Sequence, residues 1–399
     1  MYFKRSLITL SLLSAFSYST MANAEVINGI DSTTGYAENY VVTGNEMILD
    51  FDHVSWNIVK VSDSNELAKA FSNAAPGDKI VIAAGTYAGK FKLKKGGLKD
   101  KPIWIVAEDA SAMPLLDGGD INNGTTLAID GDDNAEGISY IYVQNIKVTN
   151  GRGGITVDHA HYVTIDGVEV YNVGQAAIHL RDGSQYNIVK NSYLHDTGLY
   201  NVKYGEGVYI GSDYKKWPGG SSSSEYDPKV DYAQILNNKI GPNVTAEHID
   251  IKEGSSYAYI IGNDFDAAGM IDILNGGLSY IDFKGNYSET AYNKGNQNGN
   301  PYFENAFEVN TKSPGWGFYN NIHHNTLTFN DEYYSKSVSV TMTVALGSKG
   351  KPKMSETSKN KKPEHWVVKS NIKGETRVSS NTRLPADNKK MYTGNIVEY

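Results

Sequence analysis

The sequence predicts an all-β protein that is wound as a single-stranded, right-handed parallel β-helix with an N-terminal capping helix. Three observations lead to this prediction: short apolar strands that recur about every 23 residues, polar turn residues at matching places, and a composition suited to strands and turns. The 399 residues include 40 Gly and 28 Tyr and contain no Cys. Stacked coils bury a continuous apolar core, so such a protein needs no disulfides.

The repeated unit is a short strand with apolar residues at its second and fourth places. Successive side chains of a strand point to opposite faces, so these two residues would point inward together. The pairs that share the pattern are Ile155/Val157, Ile178/Leu180, Val208/Ile210, Ile249/Ile251, Ile271/Ile273 and Phe307/Val309. Coils stacked about 4.8 Å apart would align them as columns of the core.

A polar residue follows the second strand of each unit and predicts a side-chain hydrogen-bond ladder at a turn. The residues at this place are Asp166, Asn191, Asn238, Asn263, Asn286 and Asn325. Two longer intervals contain insertions at 214–231 and 292–305.

The first residues have the pattern of a secretory signal peptide. Lys4 and Arg5 precede a short apolar run, and the small residues Ala22–Ala24 form a cleavage site. We therefore expect 1–24 to be a signal peptide cleaved near Ala24, and the mature protein to be secreted to the periplasm or the extracellular space.

The rest of the chain is expected to form one structural unit with a tail. We expect the β-helix and its cap over 25–330, with an amphipathic capping helix near 64–74 that covers the open end of the core. Residues 331–399 are expected to form loops and late strands packed on the β-helix.

The net charge of −8 argues against nucleic acid as a partner. No second apolar run approaches the length of a membrane span, so we expect no membrane partner. We also expect the protein to be a monomer. An acidic polysaccharide remains a possible partner if one face carries a local row of cations.

The outward positions of the repeat supply that face and form the candidate site. The middle outward positions are Thr156, His179, Tyr209, Asp250, Asp272 and Glu308. The next outward positions are Asp158, Arg181, Gly211, Lys252, Leu274 and Asn310, and the preceding edge holds Glu206, Glu247 and His248. Asp250 and Asp272 would stack about 5 Å apart, which is unfavourable unless a cation or a proton lies between them.

One interpretation of this face is β-elimination on a uronate-containing polysaccharide. The reaction needs a neutralised sugar carboxylate, a base for the adjacent proton and an acid for the leaving oxygen. Lys252 would be the base, with its pKa lowered by a neighbouring cation, or the carboxylate partner together with Arg181. Tyr209 or His179 would be the acid.

The remaining candidates would bind a cation or the substrate. Carboxylate oxygens of Glu206, Glu247 and Asp250 could hold a calcium ion, which would neutralise the sugar carboxylate. The outward residues assigned to substrate binding are Asp272, Glu308, His248 and Asp158.

Two other interpretations stay open. Asp250 and Asp272 could be the catalytic pair of a glycoside hydrolase, because their expected separation approaches the spacing of about 5 Å in retaining enzymes. A non-catalytic, matrix-binding β-helix protein would also use such a surface. Any single charged residue on the outward face is more often an ordinary solvent-exposed residue with no role in catalysis or binding.

The stretches "AAPGDKIVIAAGTYAG" (74–89) and "KPIWIVAE" (101–108) resemble the opening of β-helix polysaccharide lyases of the chondroitinase B and alginate lyase type. In that pectate-lyase-like family a Glu precedes the catalytic Lys by five places. Glu247 and Lys252 match this spacing, and the resemblance implies a calcium ligand and a base. The family also has an Arg one coil further on, where this sequence is expected to place Leu274.

Residues 178–266 are similar to a group of secreted β-helix proteins of bacteria and fungi. The chain also resembles the vibrio lyases of biofilm-matrix exopolysaccharide. This resemblance implies cleavage of an acidic matrix polysaccharide and a role in biofilm remodelling or dispersal.

Overall fold

The computed structural model describes residues 54–271, 279–303 and most of 305–328, together with short strands near both termini. The signal-peptide prediction for 1–24 falls outside the described residues, as do Asp272 and Leu274. The strands near the N-terminus, Glu25–Ile27 and Tyr40–Val42, pair with each other in antiparallel fashion.

Three long parallel sheets make up the fold. Sheet 1 contains Asn57–Val61, Asp78–Ile82, Ile103–Ala107, Ile138–Gln144, Ala160–Asp166, Ile188–Lys190, Gln234–Leu236, Tyr259–Ile261, Glu289–Ala291 and Asn321–His323. Sheet 2 contains Thr86–Ala88, Leu115–Asp117, Lys147–Thr149, Glu169–Tyr171, Tyr193–Leu194, Lys239–Ile240, Asp264–Asp266, Lys294–Asn296, Thr326–Thr328, Val367–Lys369 and Ile396–Glu398. Sheet 3 contains Phe91–Leu93, Thr125–Asp130, Gly153–Asp158, Ile178–Arg181, Val208–Ile210, Ile249–Ile251, Ser279–Phe283, Asn305–Asn310, Thr341–Ala345 and Arg377–Ser379.

The chain visits the three sheets in turn, so each coil adds one strand to each sheet. Within sheet 3, for example, Gly153–Asp158 pairs in parallel with Ile178–Arg181, which pairs in parallel with Val208–Ile210. Parallel strands in successive coils are the defining feature of a β-helix, and the predicted fold class is confirmed.

A helix covers the first coil, as the sequence predicts. It spans Ser64–Asn73, and the Asp63 carboxylate caps it by accepting hydrogen bonds from the backbone N–H groups of Asn65 and Glu66. Its buried face includes Phe71, whose ring meets Phe91 of the first sheet 3 strand edge-on at 6.4 Å. The helix therefore shields an end of the core that would otherwise be open.

Two short 3₁₀ helices flank one strand of sheet 3. Val202–Tyr204 precedes the strand Val208–Ile210, and Tyr214–Lys216 follows it. Among the described residues, no helix is both long enough and apolar enough to cross a membrane.

The inward columns of sheet 3 form the predicted core. Ile178, Leu180, Ile249 and Ile251 have no solvent exposure, and they belong to one apolar cluster that runs along the helix axis. Burial of such side chains stabilises the fold by about 1.5–3 kcal/mol each.

The register of the coil after Ile249–Ile251 differs from the prediction. The strand that pairs with Ile249–Ile251 is Ser279–Phe283, so the column continues with Ile281 and Phe283 rather than with Ile271 and Ile273. Ile271 lies partly buried against the core before this strand begins. Both segments have the apolar and acidic pattern of a strand, and the pattern alone does not choose between them.

The predicted asparagine ladder exists with three changes of membership, one of which is that Asp166 lies outside it and accepts a hydrogen bond from Asn191 Nδ2. The side-chain oxygens of Asn263, Asn293 and Asn325 accept hydrogen bonds from the backbone N–H groups of Asn238, Asn263 and Asn293, at 2.9, 2.9 and 3.0 Å. Asn293 takes the place predicted for Asn286, and Ser192 takes the place predicted for Asn191. The ladder satisfies buried backbone donors at a turn that repeats in every coil.

A second ladder, which the sequence analysis does not predict, consists of stacked tyrosine rings. Neighbouring rings lie 4.8–5.1 Å apart between centroids, and each residue has a positive φ of 53–60°. The six members are Tyr140, Tyr162, Tyr186, Tyr232, Tyr257 and Tyr287. Because each ring face meets another ring, this ladder stabilises the stacking of the coils.

Candidate active site

A groove of about 810 Å³ crosses the outer face of sheet 3. Its floor is formed by the middle strands of the sheet. The segments that contain the two 3₁₀ helices, Val202–Tyr204 and Tyr214–Lys216, supply lining residues around it. The sequence-predicted residues His179, Arg181 and Tyr209 line this groove, as do Glu206, Glu247, Asp250 and Lys252. The structure therefore brings these seven residues of the predicted outward face together in one groove.

The middle column follows the strand register. His179 pairs with Tyr209, Tyr209 with Asp250, and Asp250 with Asp282. Glu308 is the partner of Asp282 in the next coil and lies half-buried in that column. The prediction that Asp272 stacks on Asp250 is wrong, because Asp282 occupies that position.

The second outward column contains a cation that the sequence analysis missed. The expectation of Leu274 beside Lys252 is wrong: the residue after the strand Ser279–Phe283 is Lys284, whose backbone N–H donates to the Ile251 carbonyl in the previous coil. The groove therefore has two lysines in adjacent coils.

These lysines form a buried chain of ion pairs with two aspartates. Lys252 Nζ lies 2.5 Å from Asp250 Oδ2, and Lys284 Nζ donates to Asp250 Oδ1 at 2.7 Å. Lys284 also pairs with Asp282. Asp250 thus has an ammonium group on each of its two oxygens.

The ion pairs decide the charge states of these groups. Burial acts to raise the pKa of Asp250, but Lys252 and Lys284 outweigh it and lower that pKa to about 2. Burial likewise acts to lower the pKa of Lys252, yet Asp250 holds it well above the usual range. The predicted lowering of the Lys252 pKa is wrong, because its nearest charge is a carboxylate and not a cation.

Arg181 and Asp158 form a separate ion pair at the edge of the floor. Arg181 donates to both oxygens of Asp158, with Nη2 at 2.9 Å from Oδ2. The Arg181 guanidinium also lies 4.7 Å from the ring centre of Tyr226. This pairing fixes the arginine against one wall of the groove.

His179 and Tyr209 lie side by side with ring centroids 4.3 Å apart. The His179 Nε2–H donates to the Gly211 carbonyl at 2.9 Å, and burial, with help from Arg181, lowers the pKa of this histidine to about 3. Burial also raises the pKa of Tyr209, whose ring lies 5.0 Å from Lys252 Nζ. At neutral pH the histidine is therefore neutral and the tyrosine keeps its proton.

His248 does not face the groove, and the prediction that it shares the face of Asp250 is wrong. Its ring is fully buried between Phe265 and Tyr280, at 5.7 and 5.4 Å between centroids. Its Nε2–H donates to the Asp266 carbonyl at 2.8 Å. The residue precedes the strand Ile249–Ile251, so the alternation of faces inside the strand does not apply to it.

Glu206 and Glu247 complete the floor. Both are buried, and Glu206 Oε2 has no hydrogen-bond partner among the described residues. Burial raises the pKa of Glu206 to about 8, with a contribution from Glu247, and the pKa of Glu247 to about 7, with a contribution from Asp250. Carboxyl groups in this range exchange protons near neutral pH.

Glu206, Glu247 and Asp250 could hold a metal ion by their spacing, since one carboxylate oxygen of each lies within 4.8 Å of the others. Calcium takes about six to eight oxygen ligands. Both oxygens of Asp250 already receive ammonium groups, and a calcium ion at Asp250 would lie beside two positive charges. The three residues therefore fit calcium poorly.

The three parallel sheets, with a charged groove across one of them, place this protein in the class of right-handed parallel β-helix proteins. A family model described as the Pel9A-like right-handed β-helix region matches residues 53–206. The alginate lyase from Paenibacillus sp. str. FPU-7 is 30% identical, with a TM-score of 0.66 over 86% of this chain and 98% of that one. The chain belongs to the same family as that alginate lyase, and the Pel9A-like β-helix model matches part of it.

More distant structures share the fold alone. The GH136 lacto-N-biosidase from Eubacterium ramulus is 13% identical, with a TM-score of 0.53 over 86% of this chain and 67% of that one. Among curated proteins, none matches the sequence. The chain thus has a polysaccharide-lyase-like fold of the right-handed type that the sequence predicts.

Proposed function

We propose that this protein is a polysaccharide lyase that cleaves an acidic, uronate-containing polysaccharide by β-elimination. The observation that carries the proposal is the Lys252 ammonium group, which Asp250 holds in its charged form on the groove floor beside Tyr209. A fixed cation next to a protonated phenol supplies two of the functions that elimination requires. Shared family membership with an alginate lyase supports the same reaction.

Each step of the reaction has a candidate residue. The Lys252 ammonium neutralises the sugar carboxylate and so acidifies the proton on the adjacent carbon. Glu206, which presents an unpartnered oxygen in the described part of the floor, takes that proton in its ionised form, which predominates above a pH of about 8. The bond from the ring carbon to the bridging oxygen breaks, a carbon–carbon double bond forms, and Tyr209 donates its proton to the departing oxygen.

These roles revise the expectations from the sequence. Lys252 keeps its proton beside Asp250 and therefore acts as the carboxylate partner rather than as the resting base. His179 is neutral and hydrogen-bonded to Gly211, so it packs against Tyr209 instead of acting as the acid. The neutralising role that the sequence analysis gave to calcium passes to lysine.

The test is to incubate the purified protein with alginate and, separately, with an acidic biofilm exopolysaccharide. Elimination produces an unsaturated uronate that absorbs in the ultraviolet, together with new reducing ends. New reducing ends without absorbance would show hydrolysis, and binding without new ends would show a matrix-binding protein. Either of the last two results would replace the proposal.

The hydrolase alternative has a weaker basis in the groove. Asp250 is tied to two lysines, and Asp282 is tied to Lys284. Neither carboxylate is placed as a free acid or nucleophile of the kind that glycoside hydrolysis requires.

We further propose that the protein is exported through the signal peptide at 1–24 and acts as a monomer on the exopolysaccharide of a biofilm matrix. Cleavage there would remodel or disperse the biofilm. Mass spectrometry of the secreted protein tests the export proposal, since the mature chain should begin near Glu25. Loss of matrix polysaccharide from a biofilm treated with the purified protein tests the role.

A further inference from the structure

The floor of the groove contains a lysine that is buried as deeply as the apolar core. Lys284 is 1% exposed, and its Nζ pairs with Asp250 and Asp282 in adjacent coils. Lysine is rarely buried to this extent unless its charge is paired. We propose that Lys284 is a fixed internal cation that occupies the place of a divalent metal ion among the buried carboxylates of this floor.

The strand register explains why a cation is needed there. Asp250 and Asp282 are direct partners in adjacent parallel strands, so their side chains stack at the coil spacing of about 4.8 Å. Glu206 and Glu247 are buried close to Asp250. Like charges at this separation destabilise a sheet unless a positive group lies between them. The Lys284 ammonium is bound to both aspartates and meets that need.

An ammonium group differs from a metal ion in one testable way. Its charge is covalently attached to the chain, so dialysis or a chelator cannot remove it. Truncation of the side chain would leave space lined by oxygen atoms of Asp250 and Asp282, with Glu247 nearby. Carboxylate oxygens in a small space are the ligands that calcium prefers. The pairing of Lys284 with the two aspartates does not depend on the reaction at the groove.

The experiment compares the parent protein with Lys284→Ala and Lys284→Met in thermal unfolding, over a series of calcium chloride concentrations. Lys284→Ala removes the charge and frees the space, so the variant should be less stable than the parent and should recover stability as calcium is added. At calcium concentrations 100 times the Kd, its folding equilibrium should shift about 100-fold toward the native state. Lys284→Met removes the charge but fills the space, so it should be destabilised without recovery.

The parent protein supplies a second readout that holds even if Lys284→Ala does not fold. Protein purified without chelator should contain no stoichiometric divalent metal, and its Tm should be the same in EDTA and in calcium chloride. A stoichiometric metal in the parent, or a parent Tm that rises with calcium, would overturn the inference. A folded Lys284→Ala protein whose stability does not respond to calcium would overturn it as well.

Discussion

Replacement of Lys252 by Ala tests the role of the charged groove floor in both activity and stability. The variant loses the ammonium group that neutralises the substrate carboxylate. Removal of one preorganised electrostatic partner of a transition state costs about 10²–10³ in kcat. We therefore expect initial rates of ultraviolet-absorbing product to fall by about two to three orders of magnitude.

The same substitution should destabilise the fold moderately. The Lys252 side chain is only 12% exposed, and it loses a charged contact of 2.5 Å to a buried aspartate. A hydrogen bond to a charged group contributes about 1.5–3 kcal/mol. Asp250 keeps its second partner, Lys284, so the loss should stay below the roughly 3–5 kcal/mol of a carboxylate left fully unpaired. Urea unfolding, followed by circular dichroism, measures this change.

Lys92→Ala is the matched control, because it removes another lysine–aspartate pair from sheet 3. Lys92 Nζ lies 2.6 Å from Asp130, but its side chain is 53% exposed and lies outside the groove lining. Asp130 is buried but its lysine is half-exposed, so the substitution should cost less stability than Lys252→Ala, and the rate should not change. The reasoning fails if folded Lys252→Ala protein cleaves at the parent rate, or if Lys92→Ala slows cleavage equally.

Three further changes test the fold and the charge states. Ile251→Asp should prevent folding, seen as loss of the β-sheet circular dichroism signal, because it buries a carboxylate one place away from Lys252. Asn263→Ala should lower the free energy of unfolding by about 2–4 kcal/mol in urea titrations while activity per folded molecule is kept, since it breaks ladder bonds to two neighbouring coils. The pKa values of His179 and His248, about 3 and about 4, lie below the value of about 6.5 in the unfolded chain. The unfolded state therefore binds more protons than the folded state at these two histidines, whereas Glu206 and Glu247, whose pKa values are raised, bind more protons in the folded state above a pH of about 4.5. Between a pH of about 6.5 and about 4 the Tm of the parent should therefore fall relative to the Tm of His248→Gln, and a difference between the two Tm values that is constant over that range would contradict the burial of a neutral His248.

The fold could be predicted because it follows from a period that the sequence repeats many times. In pairs such as Ile178/Leu180 and Ile249/Ile251, both apolar side chains point to the same face of the strand, and this face is the buried one. The repetition of such pairs along the sequence sets how the coils stack. The outward neighbours then follow by alternation, which is why His179, Tyr209 and Asp250 were placed in one column correctly.

The charge states could not be predicted in this way. Whether the Lys252 pKa rises or falls depends on which charge is nearest, and that depends on side-chain directions and burial rather than on strand order. His248 shows the same limit at a strand end. Its place in the chain suggests the outward face, but the backbone bends at His248, just before Ile249–Ile251, and the ring lies in the core beside Phe265.

The missed lysine did leave a signal in the sequence. Residues 249–252 read IDIK and residues 281–284 read IDFK, so the strand with an outward acid followed by an outward lysine occurs twice. Parallel, in-register stacking places Asp250 on Asp282, like charge on like charge. Such a stack is stable only if ion pairs form between neighbouring coils as well as within each coil. Lys284 makes both kinds of pair, because it binds Asp282 of its own coil and Asp250 of the coil before. The segment at 270–276 has the acid, Asp272, but has Leu274 where a lysine would be needed, so it could not supply this diagonal pair. Charge compensation between coils, added to apolar periodicity, would therefore have selected the strand Ser279–Phe283 from the sequence.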